Sequence, residues 1–365
     1  MSRTAGAAPP DRSFLAELKD AVTPRATALV IGVIALQLLF IASYVGALHH
    51  PRPRDIAFGV VAPQPAADRT VPRLDQLAGH PLSPRTVPDA RTARTRILHR
   101  DLDGALVVDP RGTTDTLLVA TGGGTALATT LKNLVTGLEA AQHRTVRVVD
   151  VAPASAGDFN GLSSFYLVVG WCVGGYLCAS ALAVSTGARP ANPRRAVIRL
   201  SVMALVAAAG GLGGALIVGP ALDALPGSVY ALWGLGALIT FAVGAATLAL
   251  QGVFGIVGIG LAILLVVIAG NPSAGGAFPF PLLPPFWSTI GPALPPGAGT
   301  WAARSIAYFQ GNGGTGALWV LAGWALGGIA VTLLMATLRA RARGRVPPRT
   351  DPARDPGGLS RSESP

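Results

Sequence analysis

The sequence predicts an α-helical polytopic membrane protein, with six transmembrane helices and an extracytoplasmic α/β domain inserted between the first and second. Three observations carry that prediction. Half of the 365 residues are apolar and only 13% are charged, against about a quarter in globular chains. The apolar residues gather in long runs almost free of charge. One stretch, residues 49–163, breaks the pattern with 13 basic and 11 acidic groups.

The first apolar run covers residues 26–48 and follows Lys19 and Arg25. As a helix its 23 residues rise about 34 Å, enough for a hydrocarbon core of about 30 Å. The apolar core of a cleaved signal peptide is only about 7–15 residues long, so the run reads as an uncleaved anchor. Further runs cover 164–187, 200–218, 229–269 and 317–338. The 41-residue run 229–269 is about twice the length of one crossing. It is expected to fold back near Gln251 and Gly252, which makes six spans.

The net charge of +11 does not point to nucleic acid, because the excess sits in short segments beside the spans. Arg189, Arg194, Arg195 and Arg199 occupy one connection; Arg339, Arg341, Arg343 and Arg345 follow the last run; the connection 220–228 holds only Asp223. Arginine-rich short loops mark the cytoplasmic side. The expectation is a multi-pass protein of the plasma (inner) membrane with both termini cytoplasmic. Residues 1–25 form a cytoplasmic tail, and 339–365 a disordered basic one. Long polar segments cross regardless of their charge, so 49–163 is placed outside.

That segment reads as α/β. Strand-like runs at 56–62, 104–108, 116–120 and 146–151 are rich in β-branched residues and bounded by Pro, Gly or Asp. Leu127, Leu131, Leu134, Val135 and Leu138 form one helical face, and Ala90, Ala93 and Ile97 a weaker one opposite Arg91, Arg94 and Arg96.

Within the membrane part, 164–338, residues 270–316 are apolar but too rich in proline to span. They predict an outer hairpin with half-helices at 286–290 and 300–309, dipping partway into the leaflet or lying on it, where only buried or watered backbone is tolerated. The candidate gate residues there are Asn271, Pro272, Pro284, Pro285, Trp287, Pro295 and Arg304. Arg304 is the hairpin's one charge. It is expected to anchor a peripheral helix from the surface, to reach lipid phosphate, or to bind carbonyls at a half-helix end.

No motif for catalysis is present. The two lysines, Lys19 and Lys132, do not follow a phosphate-loop pattern, no Asp, Glu, His or Lys lies in the spans, and the five histidines lack metal-ligand spacing. The expectation is a protein that is not an enzyme, with no cofactor, no metal and no nucleic-acid partner. Cys172 and Cys178 share one span and read as small apolar filler. Gly122, Gly123 and Gly124 join a strand to a helix and read as a flexible turn, with an anion cradle as the rival reading. Glycine pairs four apart, Gly170/Gly174, Gly210/Gly214 and Gly323/Gly327, read first as packing within the chain and second as a homodimer seam.

The Asp150–Pro153 motif with Asp158 and Gly161, then Gly170, Trp171, Gly174, Gly175 and Tyr176, are followed by Gly270–Ser273, Leu283–Trp287 and Leu294–Gly297 leading to Arg304. In these motifs, over residues 26–338, the chain resembles the phage-infection-protein family of membrane proteins related to type-2 ABC-transporter permeases. The resemblance implies a permease-like subunit exporting an amphipathic or hydrophobic substrate, with a separate ATPase partner. On that reading Arg189, Arg194, Arg195 and Arg199 are the candidate coupling surface. The alternative is a membrane scaffold or receptor, secretion-system-like, whose α/β domain binds an extracytoplasmic partner.

Overall fold

The computed structural model describes residues 23–344. The expected tails at 1–25 and 339–365 fall outside these residues except at 23–25 and 339–344. Helix α1, Pro24–Leu48, opens with the Thr23 hydroxyl accepting from the Ala26 amide at 3.1 Å and a proline in its first turn. The sheet domain follows: β1 Ile56–Val61, α2 Gln64–Asp75, β2 Leu82–Thr86, α3 Ala90–Leu98, β3 Gly104–Val107, β4 Thr114–Val119, α4 Thr125–Ala140 and β5 Thr145–Asp150.

Its five strands lie in the order β2-β1-β3-β4-β5, parallel except that β3 and β4 run antiparallel. Alternating residues of β1 split the core into two. Ile56, Phe58 and Val60 face Leu74 of α2 and Leu127, Leu131 and Val135 of α4. On the other face Ala105 and Leu118 meet Ala93 and Ile97 of α3. Four strands and two helices were legible in advance. Strand β2, with Pro84 and Arg85 on an edge, and helix α2, with Pro72 inside it, were not, because proline masks both patterns.

The remaining helices are α5 Ser163–Thr186, α6 Pro193–Leu216, α7 Val229–Phe254, α8 Val257–Ile263, α9 Pro285–Ile290, α10 Pro295–Tyr308 and α11 Thr315–Gly344. Five helices among the described residues, α1, α5, α6, α7 and α11, are long and apolar enough to cross a membrane, as a polytopic membrane protein requires. The sixth expected span is shorter. After α7 the chain turns at Gly255, with φ of +67°, and not at Gln251 and Gly252. The apolar helical segment beyond is Val257–Gly270, and its last seven residues are wound wider than an α-helix. Helix α7 is the most buried of the long helices and packs along α5, α6 and α11. Helix α6 begins at Pro193, so Arg194, Arg195 and Arg199 lie on its first turns and not in a loop.

Candidate functional site at the junction of the sheet domain and the hairpin

Proline opens both half-helices of the hairpin. Pro285 starts α9, and the Pro295–Pro296 pair starts α10 five residues earlier than expected, since proline in a first turn removes only amides that lack partners anyway. Helix α10 does not lie on a surface. It is buried along most of its length among α5, α7 and α11. Two glycines permit this: a Cβ at Gly299 would strike Val168 and Ile239, and one at Gly297 the carbonyl of Gly291.

Arg304 follows α10 inward and is 4% exposed. Its Nη1 donates to the Gly275 carbonyl at 2.7 Å, and its Nη2 to Gly276 at 2.7 Å and Gly161 at 3.1 Å. It binds carbonyls, but those of the turns at Gly161 and Gly275–Gly276 and not of a half-helix end as expected, and its burial excludes a surface anchor. Gly275, at φ +70°, forms the turn that presents the first two carbonyls. Four residues on, Tyr308 donates its hydroxyl to Asp158 at 2.7 Å. The other oxygen of Asp158 accepts the Ser163 amide at 2.8 Å, capping the start of α5. One guanidinium and one carboxylate thus tie the hairpin, α10 and the root of α5 together.

A second arginine enters from the sheet domain. Arg100, just after α3 and with φ of +65°, stacks 3.3 Å over the Trp301 ring. Its Nη1 donates to the Trp301 carbonyl at 2.8 Å and to the Ser305 hydroxyl at 2.7 Å. Burial pushes its pKa down to about 9, and the nearby Arg304 charge adds to the fall while Asp103 opposes it. Burial raises the Asp103 carboxyl, which accepts the Ala57 amide. Arg100 also lies 4.9 Å from the Phe309 ring, and a cavity of about 190 Å³ is lined by Arg100, Asp103, Trp301, Phe280 and Phe309.

The glycine turn is closely packed against the hairpin. A Cβ on Gly122 would run into Tyr308, one on Gly123 would touch Phe309, and one on Gly124, at φ +142°, would strike Pro279. The amides of Gly122, Gly123 and Gly124 donate to the carbonyls of Ala152, Ala120 and Thr121, which leaves none of the three for an anion.

Of the other hairpin candidates, Asn271 and Pro272 are buried at the turn leading to Gly275, and Pro295 lies on the same helix as Arg304. Pro284 and Pro285 set up α9, where Trp287 is half-buried and edge-on to Phe286. Arg100, Trp301 and Tyr308 escaped sequence reasoning. Positions 301, 304, 305 and 308 do form an i, i+3, i+4, i+7 face, the one signal that would have found them.

The expected coupling residues gather at the opposite end of the bundle. Arg199 is buried and donates to the Thr186 hydroxyl and the Gly187 carbonyl, both at 2.6 Å, closing the end of α5. Arg189 donates to Val253 at 3.2 Å and Arg339 to Gly252, closing the end of α7. Arg194 and Arg195 are exposed. Among the described residues no His, Cys, Asp or Glu cluster is suited to a metal, and Cys172 and Cys178 are free thiols. Comparison with protein-family models, curated proteins and solved structures found no match to this chain.

Proposed function

We propose that the chain is a permease-like integral membrane subunit of the plasma (inner) membrane that exports an amphipathic or hydrophobic substrate, powered by a separate ATPase, with the hairpin as its outer gate. The observation that carries this reading is α10 seated inside the bundle and held by Arg304 to the loop before α5, with Arg100 reaching it from the sheet domain. A helix that enters the bundle from one end and stops there is built as a plug. The family resemblance of the hairpin motifs supports the same reading.

On this reading the chain crosses six times. The segment Val257–Gly270 rises about 21 Å, short of the core by roughly 9 Å, and the buried turn that follows, with α10, fills the missing depth. Exposed Tyr166, Tyr230 and Trp319 at the hairpin end support an outer aromatic belt. Exposed Arg194 and Arg195 at the other end suit an ATPase surface inside, with both termini cytoplasmic. Gly323 and Gly327 line an apolar groove of about 790 Å³ beside α8 that suits a helix of a second copy.

The test is nucleotide-driven uptake of an amphipathic dye by inverted vesicles holding the chain and its co-purifying ATPase. Uptake is expected in wild type and lost in Arg304→Ala and Arg304→Lys at matched abundance; full uptake in both variants removes the gate. Orientation is checked by an impermeant thiol reagent on intact cells, which should reach Thr113→Cys and miss Ser185→Cys. One feature favours the scaffold reading: β5 ends the sheet with Val148 exposed, an edge open to a partner strand. A chain that captures an extracytoplasmic protein on that edge but moves no dye is a scaffold.

A further inference from the structure

The glycines at 170, 174 and 210 do not do what such pairs usually do in a membrane. A Cβ built on any of them meets nothing within 4 Å, whereas close approaches occur at their neighbours, Gly175 against the backbone of α7 and Gly211 against Trp233 and Ala237. The open glycines line a cleft of about 490 Å³ between α5 and α6, within the range of about 300–1,000 Å³ typical of ligand sites. Trp171 forms its back wall and holds its width, donating Nε1 to the Gly210 carbonyl at 3.1 Å.

At the deep end stands Thr240 of α7, 2% exposed, with a hydroxyl that has no hydrogen-bond partner. A helical threonine ordinarily solves that problem by bonding back one turn, as Thr247 of the same helix does to Val243 at 2.8 Å. Thr240 forgoes that bond, and its hydroxyl stays unpartnered at a residue that lines the cleft, in an apolar surrounding where an unmet hydroxyl is costly. The mouth of the cleft carries Ser163 and Tyr166, and no charged side chain lines it. Thr240 lies eleven residues past Val229, the first residue of α7, which places it about 16 Å below that end, near the middle of a hydrocarbon core.

We propose that this cleft binds a neutral long-chain amphiphile, entering from the leaflet beside the hairpin, whose chain carries a hydroxyl or carbonyl that pairs with Thr240. The glycines make room for the chain, Ser163 and Tyr166 meet the polar head, and Thr240 selects the chain's inner polar group. An unsubstituted acyl chain fills the volume but leaves the threonine unmet. The site stands whether or not the chain is an exporter.

The test uses the purified full chain in nanodiscs with a photoactivatable mid-chain hydroxystearoyl glycerol, competed by unlabelled hydroxystearoyl or stearoyl glycerol. Wild type should label on α5 and α6 and prefer the hydroxylated competitor about tenfold, the value of one hydrogen bond. Thr240→Val, close to isosteric, should abolish that preference while keeping the labelling. Gly170→Leu with Gly174→Leu should remove labelling by both chains. Equal affinity of wild type for the two competitors, or an unchanged preference in Thr240→Val, overturns the proposal and leaves the cleft to bulk acyl chains. If the double leucine variant does not fold, the Thr240→Val comparison decides alone.

Discussion

Arginines close backbone carbonyls at both ends of the membrane bundle, yet the two ends are built differently. At the hairpin end Arg304 and Arg100 join segments far apart in sequence, and Arg304 is buried with three carbonyls depending on it. At the other end Arg189 and Arg339 meet carbonyls at the terminus of a single helix, α7, and Arg189 is exposed. The chemistry is the same in kind. What differs between Arg304 and Arg189 is the alternative open to the carbonyls when the arginine is removed: water beside exposed Arg189, nothing beside buried Arg304. Both ends join segments distant in sequence, but Arg304 and its carbonyls have no solvent to fall back on, whereas Arg189 does.

That contrast is broken or sharpened by a graded set of substitutions. The largest effect is expected for Arg304→Ala, which strands the Gly161, Gly275 and Gly276 carbonyls at a cost of about 1–3 kcal/mol each. Thermal unfolding of the purified protein should fall steeply, with Arg304→Lys in between because an ammonium cannot span the same carbonyls. A melting curve unchanged in Arg304→Ala would erase the distinction between the two ends.

Next comes Arg100→Ala, which removes the stack on Trp301 and two hydrogen bonds, about 1–3 kcal/mol together. Trp301 fluorescence, isolated by difference with Trp301→Phe, should move to longer wavelength as water reaches the ring.

The two classes of glycine offer a third comparison. Gly122→Ala drives a methyl into Tyr308 and should cost about 1–3 kcal/mol. Gly323→Ala meets open space and should be neutral or slightly stabilising, since alanine favours a helix by about 1 kcal/mol over glycine. Both are read from the same melting curves. The smallest effect belongs to Arg189→Ala, within about 1 kcal/mol.

A pH dependence is expected at the far end of the sheet domain, away from either arginine set. Glu139 is buried against Arg73 at 3.1 Å, beside Asp115 and Arg144. Burial raises the Glu139 carboxyl; Arg73 pulls it down, and the Asp115 charge pushes it up again. Burial also works to raise Asp115, but the Arg144 fork and the Asp109 amide outweigh it and hold Asp115 low. A raised folded pKa means that the Glu139 contribution is complete below its unfolded pKa and is lost as pH rises through the folded one. Asp115 behaves oppositely, contributing above its unfolded pKa and losing that contribution as pH falls through the folded one. Glu139→Gln should therefore slow amide exchange in β4 and α4 relative to wild type on the alkaline side and not on the acid side. Equal exchange at both pH values would dismiss the carboxyl as a titrating element.

The membrane character and the α/β insert were legible because both follow from local pattern. Uncharged runs of span length and period-two or helical stripes need no knowledge of what they touch. Helix α4 is a clean case, its face Leu127, Leu131 and Val135 buried as expected. The shortness of the helical segment Val257–Gly270 was not legible, since an apolar run looks the same whether or not its helix reaches the length of a full crossing. The hairpin's prolines announced broken backbone, and Arg304 stood out as the one charge among them.

The amino-acid sequence by itself determined which long segments are apolar, that the backbone of 270–316 is broken, and the candidacy of Arg304. Only the tertiary structure decided that α10 lies inside the bundle, that Gly122 and Gly124 are seats for Tyr308 and Pro279, and that Gly170, Gly174 and Gly323 face open grooves. The physical reason is that solvent preference is a property of a residue and its near neighbours along the chain. Close approach and a shared carbonyl are properties of pairs, and Arg304 and Gly161 meet only after 143 positions of chain have been folded between them.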